Sequence, residues 1–172
     1  MLRPARLWIY RLATCWLPET RLFGIKAALL RWCGAQVGTN VRLNSSVHIT
    51  GDGRLVIGDN VWIGAGTHLV ATGTATLTIE ADASIGALSY IVTGSHLIDL
   101  EGPRAAGAGI HCDVTLGRGV WAAAHILVIP GVMTPHLKIG EKAILAAGAV
   151  ITGNVPPRTM MVGNPAKAKG TF

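Results

Sequence analysis

Aliphatic residues recur every six positions over most of the chain. The recurrence forms four runs separated by short slips: Ile57, Ile63 and Leu69; Ile79, Ile85 and Ile91; Ile110, Leu116, Ala122 and Val128; and Ile139, Leu145 and Ile151. A period of six fits neither the 3.6-residue turn of an α-helix nor a plain alternating strand. It is typical of a parallel β-helix, in which each hexapeptide supplies a short strand and a turn, and three hexapeptides close one triangular coil.

Small or turn-forming residues follow many of these positions, as in Ile57-Gly58-Asp59-Asn60 and Ile63-Gly64-Ala65-Gly66. Gly, Asn and Asp tolerate left-handed backbone angles, so they suit the corners of a coil. Only 5% of the residues are aromatic, as expected for a narrow interior filled with Ile, Val, Leu and Ala. The sequence therefore predicts an all-β protein, a parallel β-helix of hexapeptide repeats with a short helical segment before it.

The repeats divide the chain into three predicted parts. Residues 1–36 form the N-terminal helical segment, residues 37–155 form the β-helix, and residues 156–172 form a C-terminal tail. Within the β-helix the periodicity stops after His96. Residues 97–109, rich in Gly, Ala and polar residues, are predicted to form a loop that protrudes from the coil, after which Ile110 returns to the interior.

Charge is unevenly distributed along the chain. Residues 1–36 contain six basic side chains against one acidic side chain, whereas residues 37–155 contain six against eight. A basic end could meet nucleic acid, anionic lipid or a phosphorylated ligand. We expect no nucleic acid partner, since no basic patch is interleaved with aromatic residues. Three cysteines without CxxC spacing predict a reduced, cytoplasmic protein, and no apolar run approaches the ~20 residues of a membrane-spanning helix.

The first predicted helix, residues 5–17, allows two interpretations. Its arginines and apolar side chains make it a candidate for peripheral contact with a membrane surface: Arg3, Arg6, Arg11, Trp8, Leu12 and Trp16. Alternatively, these aromatic residues pack against the β-helix and cover its first coil, whose backbone groups would otherwise be unpaired. The sequence leaves both open.

Four stretches resemble the hexapeptide-repeat acyltransferases, a family of left-handed parallel β-helices: Thr93-Gly94-Ser95-His96, Gly119-Val120-Trp121, Pro130-Gly131-Val132 and Gly163-Asn164-Pro165-Ala166-Lys167. The likeness runs from about Gly34 to Lys167 and is greatest to sugar O-acetyltransferases of the maltose, galactoside and colanic-acid type. It implies a homotrimer with active sites between subunits, acetyl-CoA as cosubstrate, no metal, and a saccharide acceptor in surface polysaccharide biosynthesis.

The same resemblance implies roles for individual residues. His96 corresponds to the catalytic histidine, the general base that deprotonates a sugar hydroxyl as it attacks the thioester. Its ring could be oriented by Asp99, by Glu101 or by a backbone carbonyl. Trp121 corresponds to the tryptophan that packs against the pantetheine arm of CoA.

The remaining candidates line the cofactor groove or meet the cofactor's phosphate. Ala123, Ala124, Ala147 and Thr152 correspond to groove positions where small side chains let CoA approach the backbone. The family's usual lysine after that threonine is replaced by Gly153. The cationic candidates for the 3′-phosphate of CoA are therefore in the tail: Arg158, Lys167 and Lys169.

Three other functions fit the same architecture. An N-acetyltransferase of an amino sugar, or an acetyltransferase for serine or a xenobiotic, would share the donor groove and differ in the loop at 97–109. A zinc-dependent carbonic anhydrase would need three convergent imidazoles, and neither His96 nor His111 has a second histidine five residues later. A non-catalytic scaffold would have no reason to place Trp121 beside small residues.

Overall fold

The computed structural model describes residues 1–131, residue 134 and residues 136–172. Two helices precede the strands, α1 (Pro4–Thr14) and α2 (Phe23–Trp32). Pro4 stands in the first turn of α1, where its missing N–H leaves no helical hydrogen bond unmade. After α2, Gly34 has a φ of 98°, a left-handed conformation that ends the helix. The first predicted helix, residues 5–17, therefore ends three residues earlier than predicted.

The strands after α2 are short and stack into three parallel sheets that form the sides of a triangular prism. Sheet 1 consists of β1 (Gln36–Val37), β4 (Arg54–Ile57), β7 (Thr76–Ile79), β12 (Asp113–Leu116) and β15 (His136–Ile139). Sheet 2 consists of β2 (Arg42–Leu43), β5 (Trp62–Ile63), β8 (Ser84–Ile85), β13 (Trp121–Ala122), β16 (Ile144–Leu145), β18 (Thr159–Val162) and β19 (Lys167–Thr171). Sheet 3 consists of β3 (His48–Thr50), β6 (His68–Val70), β9 (Tyr90–Val92), β14 (Leu127–Val128) and β17 (Val150–Ile151).

The chain passes from sheet 1 to sheet 2 to sheet 3 in each of about five coils, which confirms the predicted β-helix. Most predicted ladder positions form its core. In sheet 1, Ile57 pairs with Ile79, and Leu116 pairs with both Ile79 and Ile139. These four side chains are at most 2% exposed. Burial of each stabilises the fold by roughly 1.5–3 kcal/mol, which is why a six-residue aliphatic period specifies this architecture.

Polar side chains stack at the corner between sheets 1 and 2. Asn40, Asn60 and Asp82 have positive φ angles of 50°, 57° and 63°. The amide of Asn40 donates to the side chain of Asn60 at 3.0 Å, and the amide of Asn60 donates to Asp82 at 3.0 Å. The hydrogen bond from Asn60, followed by that from Arg118, holds the pKa of Asp82 below its usual range. The turn residues therefore pair between coils like the strands they connect.

The predicted protruding loop is a β-hairpin, formed by β10 (Gly94–Ile98) and β11 (Ala106–His111). The prediction that Ile110 returns to the interior is wrong. Ile110 belongs to β11, where it pairs with Ser95 and is only partly buried. The chain returns to the core at Cys112 and Val114. Ile110 precedes Leu116 by six residues only by chance, because it belongs to a hairpin strand and not to a coil of the β-helix.

The C-terminal residues continue sheet 2 with β18, which pairs in parallel with β16, and with β19, which pairs antiparallel with β18. The end of Pro130-Gly131-Val132 lies outside the described residues, because Val132, Met133 and Pro135 are not described.

The N-terminal helices pack beside the first coil. Leu7 and Tyr10 of α1 are buried in the common core, whereas Trp8 and Trp16 are 65% and 87% exposed. The interpretation that the two tryptophans pack against the β-helix is therefore wrong, and Leu7 and Tyr10 attach α1 to the core instead. Within the described residues, neither helix is long and apolar enough to cross a membrane.

Candidate active site

The hairpin β10–β11 leaves the prism where the third coil would pass from sheet 3 to sheet 1. Its base is held by two buried residues, Thr93 and Cys112. The carbonyl of Thr93 accepts a hydrogen bond from the Cys112 amide at 2.7 Å, and the Thr93 hydroxyl accepts one from the Thr72 amide at 2.9 Å. These contacts join both ends of the hairpin to the coil, so its first residues have a fixed position.

His96 lies near that base, on the exposed surface of β10. Its Nδ1 is 3.0 Å from the carbonyl oxygen of Gly107 on β11. A carbonyl can only accept, so this contact places a proton on Nδ1, and in the neutral imidazole the lone pair is then on Nε2. Of the three proposed orienting groups, the backbone carbonyl makes the contact. The Asp99 carboxylate accepts from the amides of Glu101 and Gly102 at 3.1 and 2.8 Å instead.

The His96 ring opens onto a cleft of about 400 Å³ along the hairpin. Small residues, one acid and one cation form its walls: Asp99, Pro103, Arg104, Ala106, Gly107, Ala108 and Gly109. A side chain at position 107 would collide with Asp99, since an added Cβ would lie 2.9 Å from the Asp99 Cβ. The cleft therefore places an open, polar space beside an imidazole that can accept a proton.

The groove candidates lie on another part of the prism. Trp121 is 57% exposed on the outer surface of sheet 2, between Ser84 and Ile144 of the adjacent coils. Ala123 and Ala124 follow at the corner between sheets 2 and 3, and Ala147 occupies the same corner one coil later. The structure brings these four residues together as an exposed indole beside a stripe of small side chains.

The structure separates the three cationic candidates of the tail, since Lys167 and Lys169 belong to β19 and Arg158 precedes β18. Lys167 begins β19 and pairs with Val162, which puts it at the corner between sheets 2 and 3, where the alanine stripe lies. Arg158 lies at the corner between sheets 1 and 2, where it precedes β18 and its amide donates to the carbonyl of Glu141. Thr152 follows β17 at the corner between sheets 3 and 1, on the hairpin's side. Of Lys167, Arg158 and Thr152, only Lys167 therefore lies along the stripe that starts at Trp121.

Trp121 does not line the cleft beside His96. The hairpin leaves the prism at the corner between sheets 3 and 1, whereas the alanine stripe follows the corner between sheets 2 and 3. His96 and the alanine stripe therefore lie at different corners of one prism.

Cys33 and Cys112 are poor candidates for a covalent nucleophile. All three cysteines are free thiols, and Cys33 and Cys112 are buried. Burial raises the pKa of both, and for Cys112 the neighbouring Asp113 carboxylate raises it further. A thiol must ionise to attack. Among the described residues, no group of three His, Cys, Asp or Glu side chains is arranged to hold a metal ion.

Sequence reasoning missed Arg104 and the exact partner of His96. Arg104 stands in a stretch without periodicity, so nothing in the pattern indicated that it would line the cleft. The Gly107 carbonyl belongs to the backbone and has no residue-type signal. Arg104 and the Gly107 carbonyl could have been found only by predicting a hairpin over residues 94–111 together with its cross-strand pairs.

Comparisons with known proteins support the family and the fold of this chain. No family model matches the chain. The chain is 32% identical over 168 residues to WcaF of Escherichia coli K12, provisionally named a colanic acid biosynthesis acetyltransferase, and the match covers 94% of this chain and 83% of that relative.

Two solved structures share the fold. Galactoside acetyltransferase in complex with coenzyme A has a TM-score of 0.66 at 21% identity, over 96% of this chain and 82% of that chain. A hexapeptide-repeat acetyltransferase of Vibrio cholerae, complexed with acetyl-CoA, has a TM-score of 0.60 at 19% identity, over 97% and 85%. At these identities the likeness concerns the fold alone.

Proposed function

The chain belongs to the hexapeptide-repeat acetyltransferases, and we propose that it transfers the acetyl group of acetyl-CoA to a hydroxyl of a saccharide, with His96 as general base. The hydrogen bond from His96 Nδ1 to the Gly107 carbonyl is the observation that supports this role most directly. It leaves Nε2 able to accept a proton at the mouth of an open cleft. The cleft is the proposed acceptor site.

The proposed reaction is a direct transfer. The acceptor hydroxyl gives its proton to His96 Nε2 while its oxygen attacks the thioester carbonyl carbon. The tetrahedral intermediate collapses, the carbon–sulfur bond breaks, and the imidazolium returns the proton to the CoA sulfur. An acetylated cysteine intermediate is not required, and the raised pKa of Cys112, the thiol nearest the hairpin base in sequence, disfavours one.

The proposed enzyme is a homotrimer whose three active sites each lie between two subunits. One subunit would supply His96 and the cleft along its hairpin. Its neighbour would supply Trp121 against the pantetheine arm and Ala123, Ala124 and Ala147 along the donor groove. These two groups lie at different corners of one prism, on either side of sheet 3, and this separation supports a site shared between two subunits.

The proposed acceptor is part of a surface polysaccharide or its precursor, as the name of the colanic acid relative suggests for that protein. The donor is made in the cytoplasm, and the three free cysteines fit a reducing compartment. We therefore propose that acetylation takes place there, before the saccharide is exported.

Acetyl transfer from radiolabelled acetyl-CoA to a panel of acceptors tests this function. The panel should contain neutral oligosaccharides, amino sugars, free serine and water alone. Label in an alkali-labile ester of an oligosaccharide would support the proposal. Label only in an alkali-stable amide would replace it by N-acetylation, and no transfer to any acceptor despite CoA binding would favour a scaffold.

Replacement of Lys167 by glutamine is expected to weaken CoA binding about tenfold, because a charged hydrogen bond to the 3′-phosphate contributes roughly 1.5–3 kcal/mol. Isothermal titration with CoA and with 3′-dephospho-CoA measures this directly. The loss should vanish with dephospho-CoA. Arg158→Gln is the matched control, since Arg158 lies at the far edge of sheet 2. A larger loss for Arg158→Gln than for Lys167→Gln would reverse the assignment.

A further inference from the structure

The outward surface of α1 is apolar along its whole length. Trp8 and Leu12 are 65% and 48% exposed, and Trp16, just beyond the helix, is 87% exposed. Trp8 and Leu12 are spaced four apart and therefore lie on one side of the helix, and Trp16 follows in the turn after it. The exposed residues Ala5, Ile9 and Ala13 lie beside them. We call this set of six residues the tryptophan face.

The tryptophan face is not needed to attach α1 to the protein. The opposite side of the helix is buried at Leu7, Tyr10 and Thr14, and Leu2 anchors the preceding residues through a 2.8 Å hydrogen bond to the Gly53 carbonyl. Soluble monomers rarely expose contiguous large apolar patches, and those that they expose mark interaction surfaces. Two exposed tryptophans on a well-anchored helix therefore require a partner.

The charges around the face indicate the partner's chemistry. Arg3 and Arg11 are exposed, and Arg6 lies with its guanidinium 4.7 Å from the centre of the Trp32 ring. Residues 1–36 contain six basic side chains and a single acid. Cationic side chains that flank an aromatic apolar surface complement anionic headgroups above an acyl layer, where tryptophan is enriched.

We propose that the tryptophan face binds the surface of a bilayer containing anionic lipid, with α1 lying parallel to that surface. An interfacial helix buries its apolar side about 5–10 Å deep, which is the depth of one layer of side chains. This interaction does not depend on the acceptor's identity. In the proposed trimer, cyclic symmetry would hold three copies of α1 at one level, so that a flat bilayer could meet all three.

Co-sedimentation with sucrose-loaded vesicles tests the proposal. Full-length protein should bind vesicles of phosphatidylcholine with 30% phosphatidylglycerol, and it should bind vesicles of phosphatidylcholine alone much more weakly. Trp8→Ser/Trp16→Ser should lower the partition coefficient at least about tenfold. Arg3→Gln/Arg11→Gln should lower it on anionic vesicles about 30-fold, since each cation near such a surface contributes on the order of fivefold. Trp121→Ser, another exposed tryptophan but on sheet 2, is the matched control and should bind vesicles as the wild type does.

Two results would overturn the proposal. One is wild-type protein that stays in the supernatant with anionic vesicles. The other is a Trp8→Ser/Trp16→Ser variant that loses oligomeric mass in sedimentation velocity, which would make the face an interface between copies of the chain. Acetyl transfer to a water-soluble acceptor without vesicles separates this inference from the proposed function, because the α1 variants should retain it even if membrane binding fails.

Discussion

His96→Ala is expected to lower the rate of acetyl transfer by about 10²–10⁴-fold, the usual contribution of a well-placed general base. The side chain is exposed and its ring makes one hydrogen bond, to the Gly107 carbonyl, so the fold should tolerate its loss. Affinity for CoA should stay within about twofold of wild type, since the proposed donor groove lies at the other edge of sheet 3. Steady-state assays and calorimetry measure the two quantities separately.

His111→Ala is the matched control for this variant. His111 is on the same hairpin and is also exposed, but its ring contacts the Thr72 hydroxyl at 3.2 Å and does not line the cleft beside His96. This variant should retain most of the activity. If His96→Ala kept wild-type turnover, or if only His111→Ala lost it, the assignment of His96 as the base would be wrong.

Mixed trimers are expected to recover activity from two inactive parents. His96→Ala removes the base, and Ala147→Trp fills the proposed donor groove with an indole; Ala147 is exposed, so a larger side chain there should not disturb the core. If each site takes its hairpin from one subunit and its stripe from the next, mixing the variants creates sites in which both parts are intact. In every mixed trimer one of the three sites has both parts intact, so the isolated mixed trimers should recover about a third of the wild-type activity.

Co-expression with two affinity tags and sequential purification yields the mixed trimers for assay. Glu141→Trp, also an exposed residue but at a corner away from the stripe, controls for the added bulk and should be active alone. A site contained within one chain would leave every mixed trimer inactive. Sedimentation velocity must in addition give the mass of three chains, and a monomer would contradict the shared site outright.

Much of the fold could be predicted because burial in a β-helix is strictly periodic. Positions such as Ile79 and Leu116 are determined by the need for one aliphatic side chain per hexapeptide, and a six-residue spacing records that need directly. The same rule failed at Ile110, where a hairpin strand happened to continue the spacing. Periodicity reports that a side chain is apolar at an interval, and it does not report which partner strand lies beside it.

The candidate site was predicted in part. Motifs of neighbouring residues indicated His96 and Trp121, but Asp99, the nearest carboxylate in sequence, was a plausible partner for the imidazole and instead caps its own turn. Arg158 and Lys167 looked equivalent as cations in a tail. The antiparallel pairing of β19 with β18 put them at opposite edges of one sheet.

The sequence by itself determined the repeating coil, its aliphatic interior and the place where the hairpin leaves it, because these follow from the preferences of residues close together in the chain. Only the tertiary structure decided that the Gly107 carbonyl holds the His96 ring, that His96 and the alanine stripe lie at different corners of the prism, and that Trp8 and Trp16 face outward. Each of these three features depends on how strands and helices that are distant in the chain pair and pack. Residue types at a fixed spacing do not encode that pairing and packing.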